Sequence, residues 1–349
     1  MTSRPTMRDV AAAAGVSLMT VSRVVNGEPG VQPETAARVE RAIRKLGYQR
    51  NAVARALRRR GAPTQTIGLL VDDLANPFFA AFARAAEDAA RSRNYVVLIG
   101  SSNDNLRRER EVISAFCARQ VDGLILVPVA GSHRFLRGQI ALGTKVVCAD
   151  RPADGMDLDT VVVDNRSAAH RAVAHLLERG HRRIGYLGDR EDIWTIKERY
   201  AGFAAAFADR GLVPDPSLIL HGLRERAAAA RATADLVAGA DPPTALFASN
   251  NVTTMGAVDS LYQSGDPPAD SLHPHGRGTA LIGFDEFALA DKLVPPVTVV
   301  AQDPVALGAT AAQLLFSRIA GDDSPPREVV LMTRLVPRGS GEIAVPSLS

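Results

Sequence analysis

The sequence predicts an all-α head joined to an α/β body of two lobes, and three observations carry that prediction. Residues 1–48 of the 349 show helical spacing of apolar side chains and no strand-like run. From residue 67 onward, eleven short apolar runs alternate with longer helical patterns, as in parallel sheets covered by helices. Charge divides at the same place. Residues 1–64 carry 12 basic and 4 acidic side chains, a net of +8, whereas the remaining 285 carry 29 and 34, a net of −5. A basic head on an acidic body points to a polyanionic partner at the N-terminal end only.

Composition removes other classes. At 46% hydrophobic, the chain has ample material for a core and is not globally disordered. No apolar run approaches the roughly 20 residues that span a bilayer. The opening MTSRPTMRDVAAAAG has no sustained apolar stretch before a cleavage site, so no signal peptide is read. Cys117 and Cys148 make neither a disulfide framework nor a metal motif. They read as buried thiols in a reducing compartment, which places the chain in the cytoplasm.

In the head, Met7, Val10 and Ala14 share one helical face, Gly15 breaks the pattern, and Ser17 stands where it caps a second helix. Val21, Val24 and Val25 turn inward in that helix, leaving Leu18, Met19, Ser22 and Arg23 on the outer face. Two helices joined by a tight Gly turn form a helix-turn-helix, whose second helix enters a DNA major groove. An ordinary helical hairpin is the alternative. Against it, Leu18 and Met19 are apolar on a face that should be wet, as suits contact with thymine methyls. Arg23 is placed for a guanine edge or a phosphate, and Arg8, Arg38, Arg41, Arg44 and Lys45 add phosphate attraction. A third helix runs from about Pro33 to Leu46 on an Ala36, Val39, Ile43, Leu46 stripe.

Residues 49–66 read as a short basic connector, 67–340 as the body and 341–349 as a tail. The strand-like runs are IGLLV (67–71), YVVLIG (95–100), DGLILVP (122–128), KVVCAD (145–150), TVVVDN (160–165) and RIGYLG (183–188). They continue as LIL (218–220), ALFASN (245–250), TALIGFD (279–285), VTVVAQD (297–303) and EVVLMTRLV (328–336). Eleven strands exceed one neat sheet, hence two lobes. Asp72, Asp150, Asp164, Asn250, Asp285 and Asp303 end six of these runs. Each alone reads more readily as a helix cap; together they point to a polar cleft beyond the strand ends. Gly265–Gly278 and the tail look loose. Leu335–Ser340 spells LVPRGS, a protease recognition sequence, and is read as a native strand end because no foreign domain follows.

The runs DVAAAAGVSLMTVSRVVNG, AIRKLGY and NAVARAL resemble the LacI/GalR family of bacterial transcriptional repressors. The resemblance continues through NPFF (76–79), VDGLIL (121–126), GHRRIGYLG (180–188), RYAGF (199–203), IGFDEF (282–287) and QDPVALG (302–308), over almost the whole chain. It implies a homodimer on double-stranded operator DNA, with Arg8, Ser17, Leu18, Met19, Thr20, Ser22, Arg23 and Asn26 at the groove. It also implies a hinge helix over Asn51–Arg59, in which Leu57 wedges into the minor groove and Asn51, Ala54, Arg55 and Arg58 flank it. Arg50 departs from the family's proline and Gln32 from its serine, which leaves the hinge and third helix less firmly started.

The resemblance further implies a body like the periplasmic sugar-binding proteins, with a small-molecule effector, expected to be a sugar, between the lobes. Asp72, Asn76, Phe78, Phe79 and Asp150 carry over on one side. Arg199, Asn250, Asp285 and Gln302 carry over on the other. Trp194, the only tryptophan, either stacks on a pyranose face or packs as an ordinary anchor. Asn251 replaces the family's aspartate. No cofactor and no metal are implied: His273 and His275 are two ligands in a loose insertion, and the basic GHRRIG reads as solvated charge. GxGxxG, Walker-A, GxSxG and HExxH patterns are absent from the sequence. An enzyme built on the cleft carboxylates and a periplasmic sugar-binding protein remain the alternatives, and the basic head speaks against the second.

Overall fold

Local capping explains where the head's helices begin and end. α1 (Met7–Ala14) starts at Thr6, whose backbone N donates to Asp9 Oδ2 at 2.7 Å while Asp9 N donates back to Thr6 Oγ1 at 3.4 Å. Gly15 closes it in the left-handed conformation, φ 63°. In α2 (Leu18–Asn26) the Ser17 hydroxyl accepts from Thr20 N at 3.1 Å, as the sequence indicates. α3 (Pro33–Leu46) begins at Gln32, which makes no side-chain cap. Val10, Ala14, Val21, Val39 and Ala42 are buried together. Ala42 replaces Ala36 at the centre of the third stripe, since it lies three residues from Val39 on the face toward α1.

The computed structural model describes residues 5–48, 63–262 and 278–345. The expected hinge segment, with Asn51, Ala54, Arg55, Leu57 and Arg58, lies outside the described residues, as do Arg50, His273 and His275. The chain divides into two units, Met1–Thr64 and Gln65–Ser349.

In the second unit, β1 (Thr66–Val71), α4 (Pro77–Arg91), β2 (Val96–Ser101), α5 (Leu106–Ala118), β3 (Gly123–Leu126), α6 (Leu136–Ala141), β4 (Lys145–Ala149) and β5 (Asp159–Val163) build the first lobe. The chain then crosses to α7 (Asn165–Glu178), β6 (Ile184–Leu187), α8 (Trp194–Ala208), β7 (Ile219–Leu220), α9 (Arg226–Ala238), β8 (Ala245–Ala248), α10 (Asn251–Leu261), β9 (Ala280–Phe284) and β10 (Thr298–Ala301). It returns to the first lobe with α11 (Pro304–Ile319) and β11 (Glu328–Leu331), and crosses again to β12 (Arg334–Val336). The first sheet has the order β11-β5-β4-β3-β1-β2 and is parallel throughout; the second is β12-β10-β9-β8-β6-β7.

Alternating burial explains the layers. Ile67, Leu69 and Val71 of β1 meet Phe79 and Phe82 of α4 and Leu307 and Ala311 of α11. Leu70 on the opposite face packs with Ile113 and Phe116 of α5 and Leu136 of α6. In the second lobe α7 and α8 cover one face and α10 the other. A Cβ on Gly308 would stand 2.3 Å from Phe82 O, so α11 approaches α4 through a glycine. Gly308→Ala is expected to cost about 1–3 kcal/mol of stability through overpacking, read as a lower Tm in thermal melting. An unchanged Tm would mean that the two helices separate at no cost.

The structure corrects several expectations. EVVLMTRLV is not one strand: β11 joins β5 in the first sheet and β12 runs antiparallel to β10 in the second. β2 is an edge strand: Val97 and Leu98 pack against the cores on its opposite faces, while Val96 and Ile99 are 62% and 42% exposed, so its faces are only partly covered. The tail is not loose up to residue 345: Gly341 is buried, and Glu342 Oε2 accepts from Thr298 Oγ1 at 2.7 Å and Gly339 N at 2.6 Å. GHRRIG is not solvated charge. His181 is fully buried, its Nε2 2.9 Å from Ile343 O and its Nδ1 2.9 Å from Thr244 Oγ1, and burial pulls its pKa below the usual imidazole value. Arg183 meets Asp215 at 2.8 Å. Cys148 is buried, with its thiol pushed up to about 12, but Cys117 is only half-buried. LVPRGS is built in, with Thr298 N donating to Ser340 Oγ at 2.8 Å. Among the described residues, no helix is long and apolar enough to cross a membrane.

Candidate functional site

The head presents a wet, partly apolar face. Leu18 and Met19, the first two residues of α2, are 43% and 67% exposed, and Met19 lies about 160° round the helix from the buried Val21. Arg8 and Arg23 are exposed, and neither takes part in an ion pair among the described residues. Thr20 Oγ1 lies 2.9 Å from Ser17 Oγ, and Asn26 Nδ2 donates to Ser22 Oγ at 3.3 Å. These four hydroxyl and amide groups are therefore held locally, while Leu18, Met19, Arg8 and Arg23 stand free for a partner.

The second unit contains a cavity of about 330 Å³ between the carboxyl ends of the two sheets. Nine of the ten expected residues line it: Asp72, Asn76, Phe78, Phe79 and Asp150 from the first lobe, and Arg199, Asn250, Asp285 and Gln302 from the second. Trp194 is the exception. It is the first residue of α8, about 140° round the helix from Arg199, and Thr195, Ile196 and Arg199 take the inner face instead. Trp194 is half-buried and does not line the cavity.

The two lobes repeat one device. Asp150 after β4 and Asp285 after β9 both have left-handed φ, 68° and 74°. Each continues the pairing of its sheet, with Asp150 N donating to Val161 O at 2.8 Å and Asp285 N to Val300 O at 2.9 Å. A non-glycine residue in that region costs about 1–3 kcal/mol and is found where a site needs its side chain aimed. Burial raises the pKa of Asp285, and the Arg199 guanidinium beside it and Gln302, which donates to its Oδ1, pull it back. Burial lowers the pKa of Arg199, against the carboxylates of Asp285 and Asp150. Arg199 is held by Asn165 Oδ1 at 2.8 Å and Ser249 O at 2.7 Å, over the Phe284 ring at 3.7 Å.

Two of the six strand-end residues do not reach the cavity. Asp303 caps α11 by accepting from Ala306 N at 2.8 Å. Asp164 laces the crossovers, accepting from Thr333 N at 2.8 Å and pairing with Arg171 at 2.8 Å. Asn250 does both jobs: its Oδ1 accepts from Thr253 N at 2.8 Å while the residue lines the cavity.

Sequence reasoning missed Arg151, Asp189, Asn103 and Arg224, which also line the cavity. Arg151, 5% exposed, meets Asp150 at 3.2 Å and Asp72 at 3.4 Å. Burial works against its charge, but Asp150, Asp72 and Asp104 outweigh that and raise its pKa. Asp189 had a signal, since it follows RIGYLG directly; Arg224 had none. Asn251, which stands in place of the family's aspartate, donates from Nδ2 to Asn76 Oδ1 across the lobes at 2.7 Å.

Comparisons with known proteins agree in kind. The family described as "Bacterial regulatory proteins, lacI family" matches residues 6–51, and "Periplasmic binding protein-like domain" matches residues 173–341. The chain is 32% identical over 338 residues to the HTH-type transcriptional repressor CytR of Escherichia coli K12, covering 96% of each. It is 31% identical over 339 residues to the HTH-type transcriptional repressor PurR of Aliivibrio fischeri, covering 96% of this chain and 98% of the relative. Among solved structures, the transcriptional regulator CelR–cellobiose complex has a TM-score of 0.69 at 29% identity, covering 97% and 100% of the two chains. The lac repressor dimer bound to operator and an anti-inducer reaches a TM-score of 0.81 at 22% identity, covering 98% and 100%, a likeness of fold alone.

Proposed function

The chain belongs to the lacI family of bacterial regulatory proteins, and on that premise we propose how its own residues read DNA and sense a small molecule. It is a DNA-binding transcriptional repressor governed by an effector, and not an enzyme. Residues 1–48 form the reading head, 49–66 the hinge and 67–340 the sensing and dimerisation body. Two copies act together in the cytoplasm on a pseudo-palindrome, their recognition helices in successive major grooves about one turn apart and their Leu57 side chains at the centre. Leu18 and Met19 meet thymine methyls, Arg23 reads a guanine edge, and Arg8 and the hinge arginines meet phosphates.

The effector is an uncharged sugar. One observation carries that reading: five aspartates and three arginines line the cavity, a net negative lining in which carboxylates and amides from both lobes face vicinal hydroxyls. An anionic sugar acid would meet repulsion there. The sugar-bound state of CelR supports the same ligand class. A thermal-shift screen of neutral sugars, sugar acids and nucleosides tests it, because a specific ligand raises the melting temperature by mass action. A shift with a sugar acid and none with neutral sugars would overturn the assignment.

Arg23→Ala is expected to weaken operator binding about 10- to 100-fold and to flatten base preference at one position of each half-site, measured by gel-shift titration on a set of operator variants. A uniform loss across all sequences would make Arg23 a phosphate contact instead.

A further inference from the structure

Sheet order fixes where the two lobes can be fastened. The crossovers run beside β5, β10 and the β11–β12 connection, all at one edge of the two sheets. β2 and β7 are the opposite edge strands. Asp104 follows β2, Arg190 follows β6 and Arg224 follows β7, so all three belong to the edge remote from the crossovers. There the Asp104 carboxylate, with its side chain 5% exposed, takes Arg190 Nη1 at 2.8 Å and Arg224 Nη2 at 3.1 Å.

Each partner is prepared within its own lobe. Asn103 and Asp104 both take left-handed φ, 49° and 52°, and Asn103 N donates to Asp72 O at 2.8 Å, pinning the turn to the end of β1. Arg190 is gripped from the side by Asp192, whose Oδ1 accepts from its Nε at 2.8 Å. The carboxylate's direct ion-pair partners both come from the other lobe, while Arg151 of its own lobe adds a longer-range attraction. Asn103 and Arg224 also line the cavity, so this contact borders its mouth.

We infer that Asp104, Arg190 and Arg224 form an ionic clasp that positions the two lobes in the closed arrangement and that an effector must part to enter or leave. A bond at the edge remote from the crossovers acts on the longest lever, so a modest energy there opposes opening more effectively than the same bond beside the hinge. The Asn76–Asn251 amide pair, which carries no charge, is the second fastening and does not respond to salt. The arginines are 34% and 47% exposed, so mobile ions reach the clasp and weaken it. Closure of this repressor's cleft is therefore sensitive to ionic strength through these three residues. The inference goes beyond the repressor assignment and does not depend on which effector is bound.

Hydrogen exchange on the full chain without ligand or DNA tests it, in peptides covering 101–106, 188–193 and 221–225. Raising NaCl from about 0.05 M to about 0.5 M is expected to speed exchange in all three segments by about fivefold. In Asp104→Asn all three exchange fast at both salt levels, including the two segments in the other lobe, and the salt response disappears. Arg224→Gln, at a half-exposed position, is expected to report in reverse by speeding 101–106. Acceleration confined to the substituted lobe in both variants, or the same salt response in the variants as in the parent, would overturn the clasp. Operator and effector affinities do not enter the readout, so its failure leaves the repressor assignment untouched.

Discussion

Replacing Arg199 with alanine is expected to abolish the effector response and to lower the stability of the body by about 2–4 kcal/mol, because it leaves the buried Asn165 Oδ1 and Ser249 O without their charged donor. Arg199 is 3% exposed and serves three neighbours at once: Asn165 on α7, the Ser249 carbonyl after β8, and the Phe284 ring beneath it. Its removal also strips Asp285 of the cation that opposes its burial. Asp285 already has a pKa raised above its unfolded value, so its ionised form lowers stability as pH rises through that range. Without Arg199 the carboxyl is pushed higher still, and the stability deficit shrinks as pH falls and Asp285 becomes protonated. Lysine at 199 restores charge but neither the forked bonding nor the stacking, and recovers only part of the loss. Urea unfolding at two pH values, paired with gel shifts in the presence of a ligand that stabilises the parent, measures both effects. Parental stability together with a parental effector response would remove Arg199 from the site.

Raising salt from about 50 to about 200 mM is expected to weaken operator binding by about a thousandfold or more, while effector binding changes little. The asymmetry follows from charge placement. The first 64 residues carry a net of +8, doubled in a dimer, and each phosphate contact releases a counterion on binding. The body carries a net of −5, and its cavity offers an uncharged ligand hydrogen bonds rather than counterion exchange. A plot of log affinity against log salt gives the number of phosphate contacts directly. A slope near zero would be incompatible with a head that binds through its arginines.

Much of this arrangement is visible in the chain itself, where the physics is local. Helical spacing picked out Val10, Ala14, Val21 and Val39 because burial in a three-helix head repeats every three to four residues. Ser17 is readable as a cap because its hydroxyl serves the very next turn. Leu18 and Met19 stood out because an apolar residue on a wet face breaks the pattern around it. Apolar runs ending in a polar residue marked Asp72, Asp150, Asn250 and Asp285, all of which lie on the cavity wall, because parallel strands all deliver their carboxyl ends to one side.

Long-range partnership is what the chain could not declare. EVVLMTRLV has no break in its apolar character, yet Met332 and Thr333 carry the chain from one sheet to the other, a matter of which neighbouring strand is free. Whether Trp194 faces the cleft or packs elsewhere is open in the sequence, and the helix phase of α8 gives the cavity wall to Thr195, Ile196 and Arg199 instead. Asp164 and Asp303 have the same local sequence character as Asp72 but serve a crossover and a helix cap. Asp104, Arg190 and Arg224 are ordinary surface charges along the sequence and become a clasp only when two lobes bring together residues 86 or more positions apart. Periodicity, caps and charge are properties of neighbours, so the sequence alone determined the head, the two α/β lobes and the wall of the cleft. Which charges pair, and which groups are buried without water, depends on distances across the fold, and the tertiary structure alone decided those.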